Sequence, residues 1–364
     1  MIRILQVVTY MNRGGLETML MNYYRNMDRT KVQFDFLVHR EKRADYDDEI
    51  EELGGRIYHL PRLNPFSISY KRSLQKFFQS HPEYQVIHVH QDCMSSIILK
   101  EAKNQGIKVR IAHSHSSNQD KNWKYIIKKY YMRRIPRYAT GLLACGKMAG
   151  NWMFAGYKYG IVRNAIDLHK YTYKEKLEKE VRKEWQLEDE MVIGHVGRFN
   201  TVKNHDFLID IFAECVRKKE NIRLLLVGDG EEKQKIEEKV KQMGLEKKVI
   251  FTGVRSDVER LMQIMNVFVF PSFYEGLPVT MVEAQAAGLP CVISDHVSEE
   301  CIITENLVTE VSLDEKPEKW ADIILKSAEI EKKNRSEEIR KAGYDICKEA
   351  KKMQKFYIHC AERE

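Results

Sequence analysis

Two glutamates, Glu275 and Glu283, stand on either side of a segment built to begin a helix: Glu275-Gly276-Leu277-Pro278-Val279-Thr280-Met281-Val282-Glu283. Pro278 suits the first helical position, where a backbone N–H would have had no partner. The amides of Leu277, Val279 and Thr280 then face out of the helix start toward an anion. Glu283 lies more than one turn in, beside Ala284, Ala286 and Ala287. A carboxylate among small apolar side chains needs a partner, because burying it alone is costly. A ribose, with two adjacent hydroxyls, meets that need. An internal salt bridge or an exposed helix face is the plainer alternative.

A second cluster is Gly197-Arg198-Phe199-Asn200-Thr201-Val202-Lys203-Asn204. Arg198 offers a planar fork and Lys203 a point charge, and both can converge on a diphosphate. The closing Gly-Lys-Ser/Thr of a P-loop is missing, so ATP hydrolysis is not expected. A solvated charged loop is the alternative. In Gly14-Gly15-Leu16-Glu17, paired glycines let backbone N–H groups approach an anion at a helix N-terminus, or simply make a turn. The spacing is not G-x-G-x-x-G, so a dinucleotide fingerprint is not met.

The last cluster joins His88-Val89-His90 and His113-Ser114-His115-Ser116. On a strand, residues i and i+2 share a face, so each pair can present two imidazoles to one ion. Two histidines on a strand are a weak metal signal, and no metal is expected.

All of these segments follow strand-like runs, and in open parallel sheets ligands gather at the carboxyl ends of strands. Residues 2–8, 34–38, 56–60, 86–89, 109–112 and 142–145 read as strands, alternating with helical patterns. The pattern changes near residues 162–171, and residues 173–184 are charge-dense without a clear apolar face. Strands then resume at 192–196, 222–227, 249–252, 267–271 and 291–294. The reading is α/β: two Rossmann-like doubly wound domains, 1–168 and 169–340. A helical segment over 341–364 follows, which can leave its own domain and cross back to the first.

The chain's 364 residues exceed the roughly 250–300 at which single cores stop growing, so two domains are the default. An apolar share of 43% excludes extensive disorder. Seven scattered cysteines without a CxxC pair read as reduced cytosolic thiols. No apolar run is long enough to span a bilayer, and the first residues do not make a signal peptide core. The net charge of +7 is unevenly spread. The segment from Lys121 to Arg137, KNWKYIIKKYYMRRIPR, interleaves basic and aromatic residues. It reads either as a surface for anionic lipid or as a solvated helix face. No nucleic-acid motif accompanies the charge, and no nucleic-acid partner is expected.

Taken together, the segments resemble retaining glycosyltransferase family 4, which has the GT-B fold with two domains facing across a cleft. The resemblance spans most of the chain. It rests on the glycine turn, Asn-Ala-Ile-Asp at 164–167, Gly-Arg-x4-Lys-Asn at 197–204, Val-Gly-Asp-Gly at 227–230 and Phe-Thr-Gly-Val-Arg at 251–255. Its most specific element is the E-x7-E pair, Glu275 to Glu283. Among relatives, the chain is most similar to bacterial transferases of capsular and exopolysaccharide assembly.

The resemblance implies roles. Arg198 and Lys203 would neutralise the departing diphosphate, so no metal or other cofactor is expected. Glu283 would hold the ribose, and the amides at Leu277, Val279 and Thr280 a phosphate. Val254 or Arg255 would lie beside the base, with uridine expected. Glu275 would contact the transferred sugar and His113 would face it from the N-terminal domain. Gly15 would bring backbone N–H groups to the donor phosphate. Two departures stand out: Pro278 where many relatives have Gly, and Ala165 in place of Gly. The implied activity is a retaining, metal-independent hexosyl transfer from a nucleotide diphosphate sugar to a glycan or lipid-linked glycan, in the cytoplasm or at the inner membrane face. An inactive accessory subunit and a nucleotide-sugar epimerase are the alternatives.

Overall fold

The computed structural model describes residues 1–116, 125–275 and 277–362. The chain divides into two compact units, Met1–Ala165 with Asp345–Glu364, and Ile166–Tyr344. Both boundaries differ from the expected 168 and 340. The charge-dense stretch after residue 172 belongs to the second unit, where Glu175–Glu184 forms a helix. One buried side chain, Val181, seats it, and Lys332 Nζ reaches Glu178 Oε1 at 2.8 Å. A single apolar anchor plus an ion pair leaves little periodicity to read.

The first unit holds seven parallel strands: β1 (Ile2–Val7), β2 (Val32–Val38), β3 (Ile57–His59), β4 (Val86–Val89), β5 (Val109–Ser114), β6 (Gly141–Ala144) and β7 (Gly160–Ile161). Their order is β3-β2-β1-β4-β5-β6-β7. Every residue of β2 and β4 is buried, as expected for strands covered by helices on both faces. The two-residue edge strand β7 is exposed and carries no apolar run, so the sequence pattern does not reveal it.

The second unit holds β8 (Met191–Val196), β9 (Ile222–Val227), β10 (Val249–Gly253), β11 (Val267–Phe270), β12 (Cys291–Ser294) and β13 (Val308–Val311). All are parallel, in the order β10-β9-β8-β11-β12-β13. Edge strand β13 exposes Thr309 and Glu310, which hides it from a search for apolar runs. Counted from its own first strand, each sheet begins 3-2-1-4-5-6, the doubly wound order. The winding reverses between β1 and β4 in one sheet and between β8 and β11 in the other. Loops leaving the carboxyl ends of those strand pairs diverge there and open a crevice.

The helical pattern near the C-terminus is two helices, Ser336–Lys341 and Ile346–Glu362, separated at Gly343, whose φ of 87° ends the first. The second helix belongs to the first unit. Ile346, Ala350, Met353 and Tyr357 join its core, beside Tyr24, Phe34 and Phe36. No disulfide joins any of the seven cysteines. Among the described residues, no helix is long and apolar enough to cross a membrane.

Candidate functional site

In the second unit the loop after β8 is bound to its neighbours by backbone contacts. Gly197 N–H donates to Val227 O at 3.0 Å and Phe199 N–H to Asp229 O at 3.0 Å. This close approach explains the glycines of the adjoining loop. A Cβ on Gly228 would lie 2.1 Å from Gly197 O, and one on Gly230 would lie 2.3 Å from Phe199 O. Gly228 also has φ +140°, a conformation side chains disfavour.

The same loop is tied across the switch point to the end of β11. Asn204, in a left-handed conformation (φ 55°), donates from Nδ2 to Pro271 O at 3.1 Å. Phe273 N–H donates to Val202 O at 2.9 Å. Asn200 Oδ1 caps the short turn Thr201–Lys203 by accepting from Lys203 N–H.

These ties bring Lys203 and Glu275 together. Lys203 Nζ lies 2.6 Å from Glu275 Oε1, with both side chains mostly covered, and 4.3 Å from the centre of the Phe270 ring. Glu275 is itself positioned by a parallel bridge to Val297. Arg198 does not join them. Its Nη2 pairs with Glu231 Oε2 at 3.0 Å, and its side chain is 70% exposed. An exposed pair of this kind contributes about 0–1 kcal/mol, so Arg198 can swing to a ligand at small cost.

Glu283 sits in the helix Val279–Ala286 and is buried. Pro278 is the N-cap of that helix rather than its first turn, in extended backbone (φ −67°, ψ 129°). The first-turn amides of Val279 and Thr280 have no acceptor within the helix, and Leu277 precedes them. Thr280 Oγ1 is buried without a partner. The Tyr171 hydroxyl donates to Glu283 Oε1 at 2.7 Å. Burial pushes the Glu283 carboxyl up to about 7, and the Tyr171 hydrogen bond opposes that rise. Tyr171 ends the short helix Leu168–Tyr171, capped by Asp167 of the Asn-Ala-Ile-Asp motif. Sequence reasoning missed Tyr171. The cap at Asp167 was the available signal.

At the carboxyl end of β10, Gly253 has φ +70° and Val254 is 57% exposed, an apolar side chain left open at the strand end. Arg255 holds Asp257 through Nε and Nη2, both at 2.8 Å, and its guanidinium stands 5.7 Å from the Trp185 ring centre.

In the first unit, Gly15 opens the helix Gly15–Arg25 directly after the β1 loop. A Cβ there would meet nothing within 4 Å, so its backbone faces open space. His113 is placed differently from the expectation that it faces a sugar. It lies on β5 with no exposed surface, its ring parallel to His88 at 5.1 Å. Both of its ring nitrogens lack a partner. The two histidine pairs, read separately in sequence, form one buried cluster because β4 and β5 are neighbours.

Of the basic-aromatic segment, Lys121 to Lys124 lie outside the described residues. The rest forms the helix Tyr125–Met132, a turn and the start of the helix Ile135–Tyr138, with Ile126 77% exposed and Tyr130 49% exposed. Arg134 stacks over Tyr130 at 3.9 Å.

Two parallel, doubly wound units of this strand order place the chain in the GT-B fold class. Anabaena HepE, solved in complex with UDP and glucose, superposes with a TM-score of 0.82 at 18% identity, over 98% of this chain and 99% of that one. Residues 13–170 match Glycosyltransferase Family 4, and residues 178–345 match Glycosyl transferases group 1. The chain is 38% identical over 358 residues to the putative glycosyltransferase EpsF of Bacillus subtilis (strain 168), covering 94% of this chain and 93% of that protein. It is 26% identical over 344 residues to the capsular polysaccharide biosynthesis glycosyltransferase CapH of Staphylococcus aureus, covering 90% of each. The chain belongs to glycosyltransferase family 4.

Proposed function

We propose that this glycosyltransferase moves a sugar from a UDP-sugar to a lipid-linked glycan in bacterial surface-polysaccharide assembly, with retention of the anomeric configuration. The observation that carries this reading is the Lys203–Glu275 pair at the β8/β11 switch point. It stands two residues before the start of a segment that leads into first-turn amides and the buried Glu283. Lys203 supplies positive charge for a diphosphate, and Arg198 can swing in beside it. The Val279 and Thr280 amides receive a phosphate, and the Glu283 carboxylate accepts from ribose hydroxyls. Val254 gives the base an apolar contact.

In the reaction, the bond from the anomeric carbon to the diphosphate oxygen breaks through an oxocarbenium-like state. The acceptor oxygen bonds to that carbon, and its proton passes to the departing diphosphate. Charge accumulates on the leaving group, so fixed cations there lower the barrier most. Lys203 and Arg198 do this without a metal on the diphosphate. Glu275, already engaged with Lys203, is a poor covalent nucleophile, which favours same-face substitution over double displacement. The exposed, basic-aromatic helix Tyr125–Met132 suits a cytoplasmic enzyme working at an anionic membrane surface on a lipid-linked acceptor.

The test begins with a panel of nucleotide sugars screened for thermal stabilisation, since a true donor stabilises the folded chain by mass action. The selected donor is then incubated with a lipid diphosphate-linked glycan, with and without chelator, and the product's anomeric configuration is read by NMR. Inversion, donor turnover that ignores acceptor, or loss of activity on chelation that Mg²⁺ restores would each overturn part of this reading.

A further inference from the structure

The first unit contains a buried histidine cluster apart from the Lys203–Glu275 pair and Glu283. His88 on β4, His90 just beyond it and His113 on β5 are buried, and His115 adjoins them. Hydrogen bonds assign much of this cluster. Gln6 donates from Nε2 to the Tyr357 hydroxyl at 3.2 Å, and its Oε1 accepts from His90 Nε2 at 2.9 Å. His90 Nδ1 is therefore an acceptor, facing His115 Nε2 at 2.8 Å. The Tyr357 hydroxyl holds His88 Nδ1 at 2.6 Å. What remains is His88 Nε2 and both nitrogens of His113, all buried and unpartnered.

Buried polar groups in native proteins almost always have partners, so an unsatisfied set points to an occupant of the space between them. These rings line a small void, with about 10 Å³ open to the centre of a water-sized sphere, shared with Tyr23, Phe34 and Tyr357. That is room for about one water or one ion. One ligand nitrogen from each of His88, His90 and His113 lies within 4.8 Å of the other two.

We propose that His88, His90 and His113 bind one Zn²⁺ ion. Imidazole nitrogens suit Zn²⁺, whose filled d-shell imposes no geometry of its own. Tetrahedral binding at about 2.0–2.1 Å places the nitrogens about 3.4 Å apart, so the rings close inward modestly from their present spacing. The outer contacts are those that orient metal-bound histidines: with Nδ1–H of His88 donating to the Tyr357 hydroxyl, Nε2 is free for the ion, and Gln6 on His90 Nε2 directs Nδ1 inward, where the ion takes the place of its contact with His115. His115 or a water completes the coordination. Through Tyr357, the ion would fasten the C-terminal helix to the sheet, which makes its role structural. The sequence expectation of no metal treated the two pairs as separate, and parallel pairing of β4 with β5 merges them.

Untagged, full-length protein is the material for the test. Metal content is measured as purified, then after chelation and titration with Co²⁺ and with Zn²⁺. The expected result is one ion per chain, the visible spectrum of tetrahedral Co²⁺ displaced by Zn²⁺, and a raised unfolding temperature with either ion. His88→Gln abolishes the spectrum, and Tyr357→Phe weakens Zn²⁺ binding about 10–100-fold as an outer-contact loss. If the variants fail to fold, the wild-type Co²⁺ spectrum and stoichiometry still decide. Substoichiometric metal with no tetrahedral spectrum, or a spectrum that His88→Gln leaves unchanged in folded protein, overturns the site and leaves a buried water as its occupant.

Discussion

If Glu283 holds the ribose as proposed, it makes donor affinity depend on pH in a way that can be worked out from its surroundings. Burial raises its carboxyl from the ordinary 4.5 to about 7. That displacement corresponds to about 3 kcal/mol favouring the neutral form, at about 1.4 kcal/mol per tenfold change. Ribose hydroxyls donate to the ionised form and return the group toward its ordinary range. Below pH 7, a nucleotide must therefore eject the Glu283 proton as it binds. Between pH 8 and pH 6 this weakens affinity about tenfold, and at pH 6 about 0.9 proton is released per nucleotide bound. Calorimetric titration of UDP in two pH 6 buffers of different ionisation enthalpy measures the release. The terminal phosphate of UDP also titrates near this range, so Glu283→Gln is titrated in parallel and the difference is assigned to Glu283. Tyr171→Phe removes the donor that favours the ionised form, and the midpoint moves upward. Equal proton release by wild type and Glu283→Gln would refute the reasoning.

The same carboxyl affects stability with a definite sign. The folded chain keeps a proton that the unfolded chain releases above about pH 4.5, so the contribution is full below 4.5 and lost as pH rises through about 7. Glu283→Gln should then raise the unfolding midpoint of the second unit more at pH 8 than at pH 5, as followed by thermal denaturation. Lys203→Ala should lower kcat about 10²–10³-fold under saturating donor, and the double variant with Arg198→Ala should lower it further; intact turnover in the double variant defeats the leaving-group role. Gly228→Ala drives a Cβ against the Gly197 carbonyl and should cost about 3 kcal/mol with loss of UDP binding. Gly244→Ala, left-handed but in open space, should cost about 1 kcal/mol and keep it. Lys129→Glu with Arg133→Glu should reduce sedimentation with anionic vesicles by tenfold or more at low salt; binding indifferent to lipid charge and salt sinks the membrane reading.

Most of the fold is legible in the sequence because parallel strands buried on both faces must be written as short apolar runs. β2, β4, β8, β9 and β12 are largely such runs, interrupted by polar residues such as Asp35, His88 and Arg223, and each ends near its expected residue. The edges escape for the same reason. β7 and β13 are covered on fewer sides, carry polar or exposed residues, and leave no run to find. The Glu275–Glu283 segment is legible because a carboxylate between small apolar residues poses a local question that the helix start answers. Arg198 and Lys203 look equivalent in sequence, both basic within one loop. They separate in space because the Asn204 side chain bonds Pro271 O and Val202 O accepts from Phe273 N–H, which holds Lys203 over the switch point while Arg198 turns toward Glu231.

What sequence leaves hidden is contact between segments far apart in the chain. Tyr171 meets Glu283 across 112 positions, and no local pattern announces that a tyrosine will tune a carboxylate. The Tyr357 hydroxyl meets His88 across 269 positions, and it does so because the last helix returns to the first unit. In each case a helix with an unremarked polar residue brings a hydroxyl to a buried titratable group that local sequence had already singled out. For Glu283 the hydroxyl favours the charged form. For His88 it occupies one nitrogen and leaves the other facing the void. Long-range hydroxyl contacts of this kind set protonation and tautomer, and thereby convert a residue of the right type into a ligand of the right state.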